Sequence, residues 1–323
     1  MTRAVRITAA GGPEAMTLAD IELEAPGPGM VQVENRAIGL NFIDTYHRNG
    51  LYPLALPTGL GTEGAGVVTA VGEGADLAVG DRVAYCSAGI GSYADALNLP
   101  AARLVRIPEG VDFDTAAAVM LKGQTVEYLL QRCRPLARGD TCLFHAAAGG
   151  VGLLFGQWAS ALGATVIGTV SSAAKAELAR ANGYAHVINY SEQDVAEAVA
   201  EITGGAGVPV VYDGVGRDTF AASLASLQPR GLLVSFGNAS GAPEPVDLQQ
   251  LALGGSLYVT RPTLVTYTGT TEELRDSAAA VFERVLDGRL RVEIQQRYPL
   301  ANIADAHRDL EARRTTGSTV IVP

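Results

Sequence analysis

Residues 140–175 read DTCLFHAAAGGVGLLFGQWASALGATVIGTVSSAAK, and their order decides the fold. Residues 141–147 are a short apolar run of the kind that forms a buried strand, and Ala148-Gly149-Gly150-Val151-Gly152 is a tight glycine turn. Residues 153–162 read as a helix and 165–170 as a second buried strand. Strand, glycine turn, helix, strand is the βαβ unit that holds a dinucleotide pyrophosphate. Its glycines admit the phosphates, and the free N–H groups of the helix start meet their charge. The spacing is Ala146-x-x-Gly149-x-x-Gly152, with alanine where the strictest fingerprint has its first glycine. The flanking strand and helix therefore carry as much of the assignment as the glycines. A membrane span is the rival reading, since no Asp, Glu, Lys or Arg lies between Asp140 and Lys175. Six glycines, Gln157 and strand-like flanks favour a helix packed on a parallel sheet instead. A glycine turn without a ligand is the plainer alternative.

A chain of 323 residues buries a large core and is expected to form two domains. Charged residues at 18% and hydrophobic ones at 48% make it globular rather than disordered. The net charge of −10 and the lack of any basic run argue against nucleic-acid binding. The chain opens as strand and turn, MTRAVRITAAGG, without the pattern of a signal peptide. Cys86, Cys133 and Cys142 have neither disulfide nor metal-knuckle spacing, so a reducing, cytoplasmic setting is expected.

Residues 3–8, 30–38, 65–71 and 81–86 read as strands punctuated by Gly and Pro, with a short helix at 41–49. They make a β-rich module of roughly a hundred residues. A helix follows Pro108, with Asp112 or Asp114 suited to cap it. From Thr141 the pattern changes to alternating elements: strands at 141–147, 165–170, 185–190, 209–213, 231–236 and 257–260, and helices between them. The fold class is therefore α/β, a doubly wound parallel sheet joined to a β-rich module. The tail returns to the first module through helices at 272–286 and 302–313 and strands at 290–296 and 319–322. The expected division is 1–122 with 264–323, and 123–263.

An NAD site places Asp or Glu about 20 residues past the glycine turn, on the ribose 2′-hydroxyl. Here that neighbourhood is Thr169-Val170-Ser171-Ser172, with no acid before Glu177, while Lys175 and Tyr190 lie at the ends of adjacent strands. A cation with hydroxyl donors suits a 2′-phosphate, so NADPH is expected over NADH. A solvated lysine and a half-buried tyrosine are the plainer readings of the same residues.

The segments NFIDTYHRNGLYP (41–53), GTEGAGVV (61–68), LFHAAAGGVG (143–152), VINY (187–190), VVYDGVGRDTF (210–220), LVSFGN (233–238) and SLYVTRP (256–262) closely resemble the bacterial quinone oxidoreductases, the zinc-free branch of the medium-chain dehydrogenase/reductases. The resemblance runs almost end to end. It implies a GroES-like catalytic domain, a Rossmann domain, NADPH as donor, a quinone acceptor and a homodimer. Zinc-dependent relatives have Cys-His where Asn41-Phe42 stand and Gly-His-Glu where Gly61-Thr62-Glu63 stand. About three protein ligands are needed for a catalytic zinc, so no metal is expected. The scattered His47, His145, His186 and His307 read as surface or packed imidazoles. Quinone reduction tolerates that lack, because the charge spreads over a ring that becomes aromatic, whereas a simple ketone develops a localised alkoxide. Holding the acceptor about 3–3.5 Å from the nicotinamide then supplies most of the catalysis.

Carried over by position, the resemblance implies cofactor contacts at Asn41, Tyr46, Thr125, Gly149, Gly150, Val151, Gly152, Ser171, Lys175, Tyr190, Phe236, Gly237, Arg261 and Arg313, the last on the C-terminal helix. It places Asn41, Tyr46 and Tyr52 in the wall of the quinone pocket, with no obligatory acid or base. Packing aromatics are the plainer reading of the two tyrosines, and a solvated helix end that of Arg313. An apolar edge strand at 257–260 offers a surface for pairing with a second copy. The competing enzymatic expectation is an NADPH-dependent reductase of α,β-unsaturated carbonyls.

Overall fold

In the computed structural model, all residues from Met1 to Pro323 are described. The chain divides into two units, Met1–Thr125 with Tyr267–Pro323, and Val126–Thr266.

The first unit opens with β1 (Thr2–Ile7) and β2 (Thr17–Ile21), then β3 (Met30–Gly39), helix α1 (Phe42–Asn49), β4 (Thr58–Gly59) and β5 (Glu63–Val71). β6 (Arg82–Cys86), β7 (Ala96–Pro100), β8 (Val105–Arg106) and helix α2 (Phe113–Tyr128) follow. Asp112 accepts the Thr115 N–H at 2.6 Å and so caps the start of α2. The strands with plain apolar alternation are those legible in the sequence. β2 and β7 were not, because their residues are largely exposed or half-buried and form partner strands of β1 and β3.

The second unit is the alternating one. It runs β9 (Thr141–Phe144), α3 (Gly150–Ala161), β10 (Thr165–Val170), α4 (Ala173–Ala181), β11 (His186–Asn189) and α5 (Val195–Ile202). It continues β12 (Val208–Asp213), α6 (Phe220–Ala225), β13 (Leu227–Ser235), α7 (Leu248–Leu253), β14 (Tyr258–Thr260) and α8 (Leu264–Tyr267). All six strands are parallel, in the order β11-β10-β9-β12-β13-β14. This is the doubly wound Rossmann sheet, its order reversing direction at β9 and β12. Leu143, Ile167, Ile188, Val211 and Leu233 from five adjacent strands form one core with Val199 and Leu224 of the covering helices. β14 lies at the sheet edge, as its sequence position led us to expect, and Tyr258 is 61% exposed.

The chain then returns through α9 (Thr271–Leu286), β15 (Ile294–Pro299), α10 (Ile303–Glu311) and β16 (Ser318–Val322). β16 pairs with β3, giving the sheet β15-β16-β3-β5-β6-β8, with β7 also on β3. Val5, Ile38, Leu60, Leu300, Ile303 and Ile321 share a core, so both ends of the chain build this GroES-like β-rich unit. No helix is long and apolar enough to cross a membrane.

Candidate active site

The turn from β9 into α3 departs from the expected boundaries. The strand stops at Phe144, three residues early, and the helix begins at Gly150, inside the glycine run. Ala146 is the cause: its φ of +59° is left-handed, the conformation for which the fingerprint uses glycine. Gly149 is the N-cap and has no side chain to occupy the first N–H groups of α3, and no acid sits in that first turn. Those donors are thus available to an anion. Gly152 has a packing role: a Cβ there would lie 2.5 Å from the Ala146 carbonyl oxygen and 2.6 Å from that of Ala147. Gly149, Gly150 and Val151 are half-buried beside it.

Parallel pairing of β10 and β11 brings Val170 opposite Asn189, which sets Ser171 and Tyr190 at neighbouring strand ends. The Tyr190 N–H donates to the Val170 carbonyl at 3.0 Å, and the Ser191 hydroxyl donates to that of Ser171 at 3.1 Å. Ser172 caps α4 by accepting the Lys175 N–H at 3.4 Å. Glu177, the first acid after the glycine turn, is turned to Arg180 at 2.6 Å. Ser171 and Tyr190 therefore stand at adjacent strand ends, with Ser172 and Lys175 at the start of α4.

Phe236, Gly237 and Arg261 also converge. Arg261 Nη1 donates to the carbonyl oxygens of Ser235 at 3.0 Å and Gly237 at 2.9 Å, while the Phe236 N–H donates to Asp213 O at 2.8 Å. A Cβ on Gly237 would collide with the Gly214 backbone, so the two loops touch because both residues are glycine. A buried knot fixes these loops: the Asp213 carboxylate accepts from Val215 N, Gly216 N, Thr219 Oγ1 and Ser223 Oγ at 2.7–3.0 Å. Ser223 Oγ also meets His145 Nε2 at 3.0 Å, and His145 Nδ1 meets Thr169 Oγ1 at 3.0 Å. Burial holds the His145 imidazole below its ordinary pKa, with Asp213 opposing.

In the first unit, Asn41 ends the strand-to-helix corner before α1 and is buried. Its Nδ2 donates to Glu63 Oε2 at 2.7 Å. Glu63 is fully buried; its Oε1 accepts the Leu121 N–H at 2.6 Å, and Lys122 Nζ lies 3.2 Å from Oε2. Tyr46 is buried on α1, and its ring centroid is 5.2 Å from that of half-buried Tyr52, edge-on. Tyr52 N donates to Tyr46 O at 3.0 Å, which ties the loop after α1 to the helix. Thr125, buried on α2, returns its hydroxyl to Leu121 O at 2.7 Å. Arg313 lies past the end of α10 rather than on it, in an exposed turn with φ +59°, so its expected helical placement is corrected.

The residues at the zinc-ligand positions do not fit zinc. Asn41 turns its amide nitrogen to Glu63, Thr62 Oγ1 donates to Asp44 Oδ1 at 3.0 Å, and nowhere do three or more His, Cys, Asp or Glu side chains cluster as ligands.

Sequence reasoning passed over a second polar chain. Asp44, fully buried, accepts the Asn41 N–H at 2.9 Å and the Tyr93 hydroxyl at 2.8 Å. Tyr93 meets His307 Nε2 at 3.0 Å, His307 Nδ1 meets Arg48 Nη1 at 2.9 Å, and Arg48 pairs with Glu311 at 2.6 Å. Desolvation raises the Asp44 carboxyl to about 6. The spacing Asn41-x-x-Asp44 at a helix start was the available signal for its first link. For Glu63 and Lys122 the signal was a single lysine inside the apolar run AAAVMLKG, which demands a partner.

Residues 27–109 match the family described as the alcohol dehydrogenase GroES-like domain, and 150–282 that described as zinc-binding dehydrogenase. A Pseudomonas aeruginosa quinone oxidoreductase is 54% identical, covering 100% of both chains. A Burkholderia 2-haloacrylate reductase is 44% identical over 100% of this chain and 99% of its own. Among solved structures, Escherichia coli quinone oxidoreductase complexed with NADPH superposes with TM-score 0.98 at 48% identity, each chain fully covered.

Proposed function

This chain belongs to the quinone oxidoreductases of the medium-chain dehydrogenase/reductase superfamily, and from that membership we propose that it reduces quinones with NADPH and without a metal ion. The observation that carries the reading is the end-to-end match to quinone oxidoreductases. NADPH, when bound, supplies a hydride from its nicotinamide.

The protein's share is binding and positioning. The first N–H groups of α3, at Gly150, Val151 and Gly152 after Gly149, receive the pyrophosphate. Ser171, Lys175 and Tyr190 receive the 2′-phosphate, a reading supported by the absence of any acid from the sequence between the glycine turn and Glu177. Phe236 and Gly237 line the nicotinamide side, and Arg261 holds their turn through two backbone carbonyls. Thr125 and Arg313 complete the cofactor contacts. Asn41, Tyr46 and Tyr52 orient the quinone, whose delocalised product charge needs no dedicated acid. The functional division that we propose is 1–122 with 264–323 for the acceptor and 123–263 for the nucleotide.

A second reading, reduction of α,β-unsaturated carbonyls, is favoured by the similarity to 2-haloacrylate reductase. Anaerobic NADPH oxidation against quinones of increasing ring size, beside a panel of enals and haloacrylates, separates the two by kcat/KM. Higher kcat/KM for the enals would replace the quinone assignment. The proposal includes a homodimer paired through the edge of β14, where Tyr258 is exposed together with Leu248 and Leu253 of α7. It also includes a cytoplasmic setting, supported by three cysteines that are all free thiols.

A further inference from the structure

Lys122 and Glu63 are charges kept almost entirely from water, with side chains 7% and 0% exposed. Such a pair is weak evidence for stability, since apolar replacements of the same volume are often as stable or more so. Something besides stability therefore accounts for charge at this point of α2. The carboxylate has three bonds: Oε1 takes the Leu121 N–H, while Oε2 takes Asn41 Nδ2 and Lys122 Nζ. Gly39 makes room for it, because a Cβ there would overlap Glu63 Oε2 and the Ala117 carbonyl oxygen.

An ammonium has three N–H donors and an amide nitrogen two. Each of these groups uses a single one on Glu63 and has no other partner in the protein, although Asn41 and Lys122 are each only 5% exposed. Each nitrogen is satisfied by Glu63 and keeps further N–H capacity with which to meet an acceptor from outside the chain. We infer that Lys122 is a positioning residue: through Glu63 it fixes the Asn41 carboxamide with its nitrogen turned inward, so that the second N–H of Nδ2 meets a carbonyl oxygen of the electron acceptor. A carboxylate accepts only, so it forces the amide nitrogen rather than the oxygen to face it. Lys122 holds that carboxylate in place. The ligand class is a conjugated carbonyl, presented oxygen-first to a donor. This deepens the proposed quinone site and rests on it.

The test uses the full-length protein and the variants Glu63→Gln, Lys122→Met and the double variant Lys122→Met/Glu63→Gln. Three measurements are made: urea unfolding, NADPH oxidation with 1,4-benzoquinone, and hydrogen exchange of the Asn41 side-chain amide by NMR after selective ¹⁵N-asparagine labelling. Lys122→Met is expected to lower both stability and kcat, the latter about ten-fold or more, the scale of a misdirected transition-state donor. In the double variant no charge is left unpaired, so stability recovers. Its kcat stays down, and Asn41 amide exchange is about ten-fold faster in every variant, because the amide is no longer forced one way. A double variant with wild-type kcat, or an Asn41 amide as protected in Lys122→Met as in the wild type, overturns the inference. If the wild type reduces no quinone, the functional reading falls, while the amide exchange still decides this inference by itself.

Discussion

Replacing His307 by Gln should make the protein's stability respond differently to acid, by an amount the geometry sets. Arg48 only donates, so His307 Nδ1 must be the bare acceptor and Nε2 carries the proton toward Tyr93, which in turn donates to Asp44. A charged His307 would need a second proton on Nδ1, facing a guanidinium. Burial first, and Arg48 second, push the imidazole from 6.5 down to about 3. With the folded pKa below the unfolded one, the folded state binds fewer protons, and stability is lost as pH falls from 6.5 toward 3. Between pH 7 and 5 that loss is about 2 kcal/mol, from roughly 1.5 pH units at 1.36 kcal/mol each. Asp44 acts the other way. Its carboxyl is raised from 3.8 to about 6, so the folded state gains as pH falls through that window, about 1.4 kcal/mol by pH 5. The wild type therefore changes little on this account. Gln can still accept from Arg48 and donate to Tyr93, but it does not titrate. Urea unfolding should show the wild type losing about 2 kcal/mol relative to His307→Gln between pH 7 and pH 5. A difference constant over that range would mean the imidazole is not held neutral, and the reasoning would fail.

Gly152→Ala places a methyl 2.5 Å from a backbone oxygen, which should cost about 1–3 kcal/mol of stability and weaken NADPH binding, read by urea unfolding and by fluorescence titration of the nucleotide. Lys175→Glu should raise the KM for NADPH well above ten-fold while moving that for NADH by about two-fold or less, because only the former brings a phosphate to the new carboxylate; equal changes in steady-state kinetics would count against the assignment. Tyr46→Phe and Tyr52→Phe should each lower quinone kcat/KM by about three- to ten-fold, the value of one neutral hydrogen bond, and full turnover by both would remove their polar role. Tyr258→Asp should shift the mass found by light scattering from dimer to monomer at micromolar protein; a monomeric wild type ends the dimer proposal.

The parallel sheet was legible because its strands are short apolar runs buried on both faces, separated by glycine and amphipathic helices. All six strands of β9–β14 were anticipated, with ends misplaced by up to four residues. The largest functional misplacement, the start of α3, came from Ala146: a left-handed alanine leaves no mark in the sequence that a glycine would have left. β2 and β7 lacked a buried face of their own to pattern them. That Ser171 and Tyr190 stand at adjacent strand ends followed from the order of strands alone. Glu63 with Lys122, 59 residues apart, and Arg48 with His307, 259 apart, could not be read that way, since local spacing says nothing about which distant partner neutralises a buried charge.

β16, which lies between β15 and β3 in the sheet of the first unit, comes from a stretch far from β3 in sequence. Ile38 and Gly39 pair with Ile321 and Val320, and the Leu40 N–H donates to Thr319 O, immediately before Asn41. The segment leading into Asn41 thus has one partner strand close by, β5, and one far along the chain, β16, while the Rossmann unit is contiguous. One unit is a single continuous stretch, and the other needs two stretches far apart in the chain. Loss of Ser318–Val322 would therefore be felt far away in sequence, at the strand that leads into Asn41.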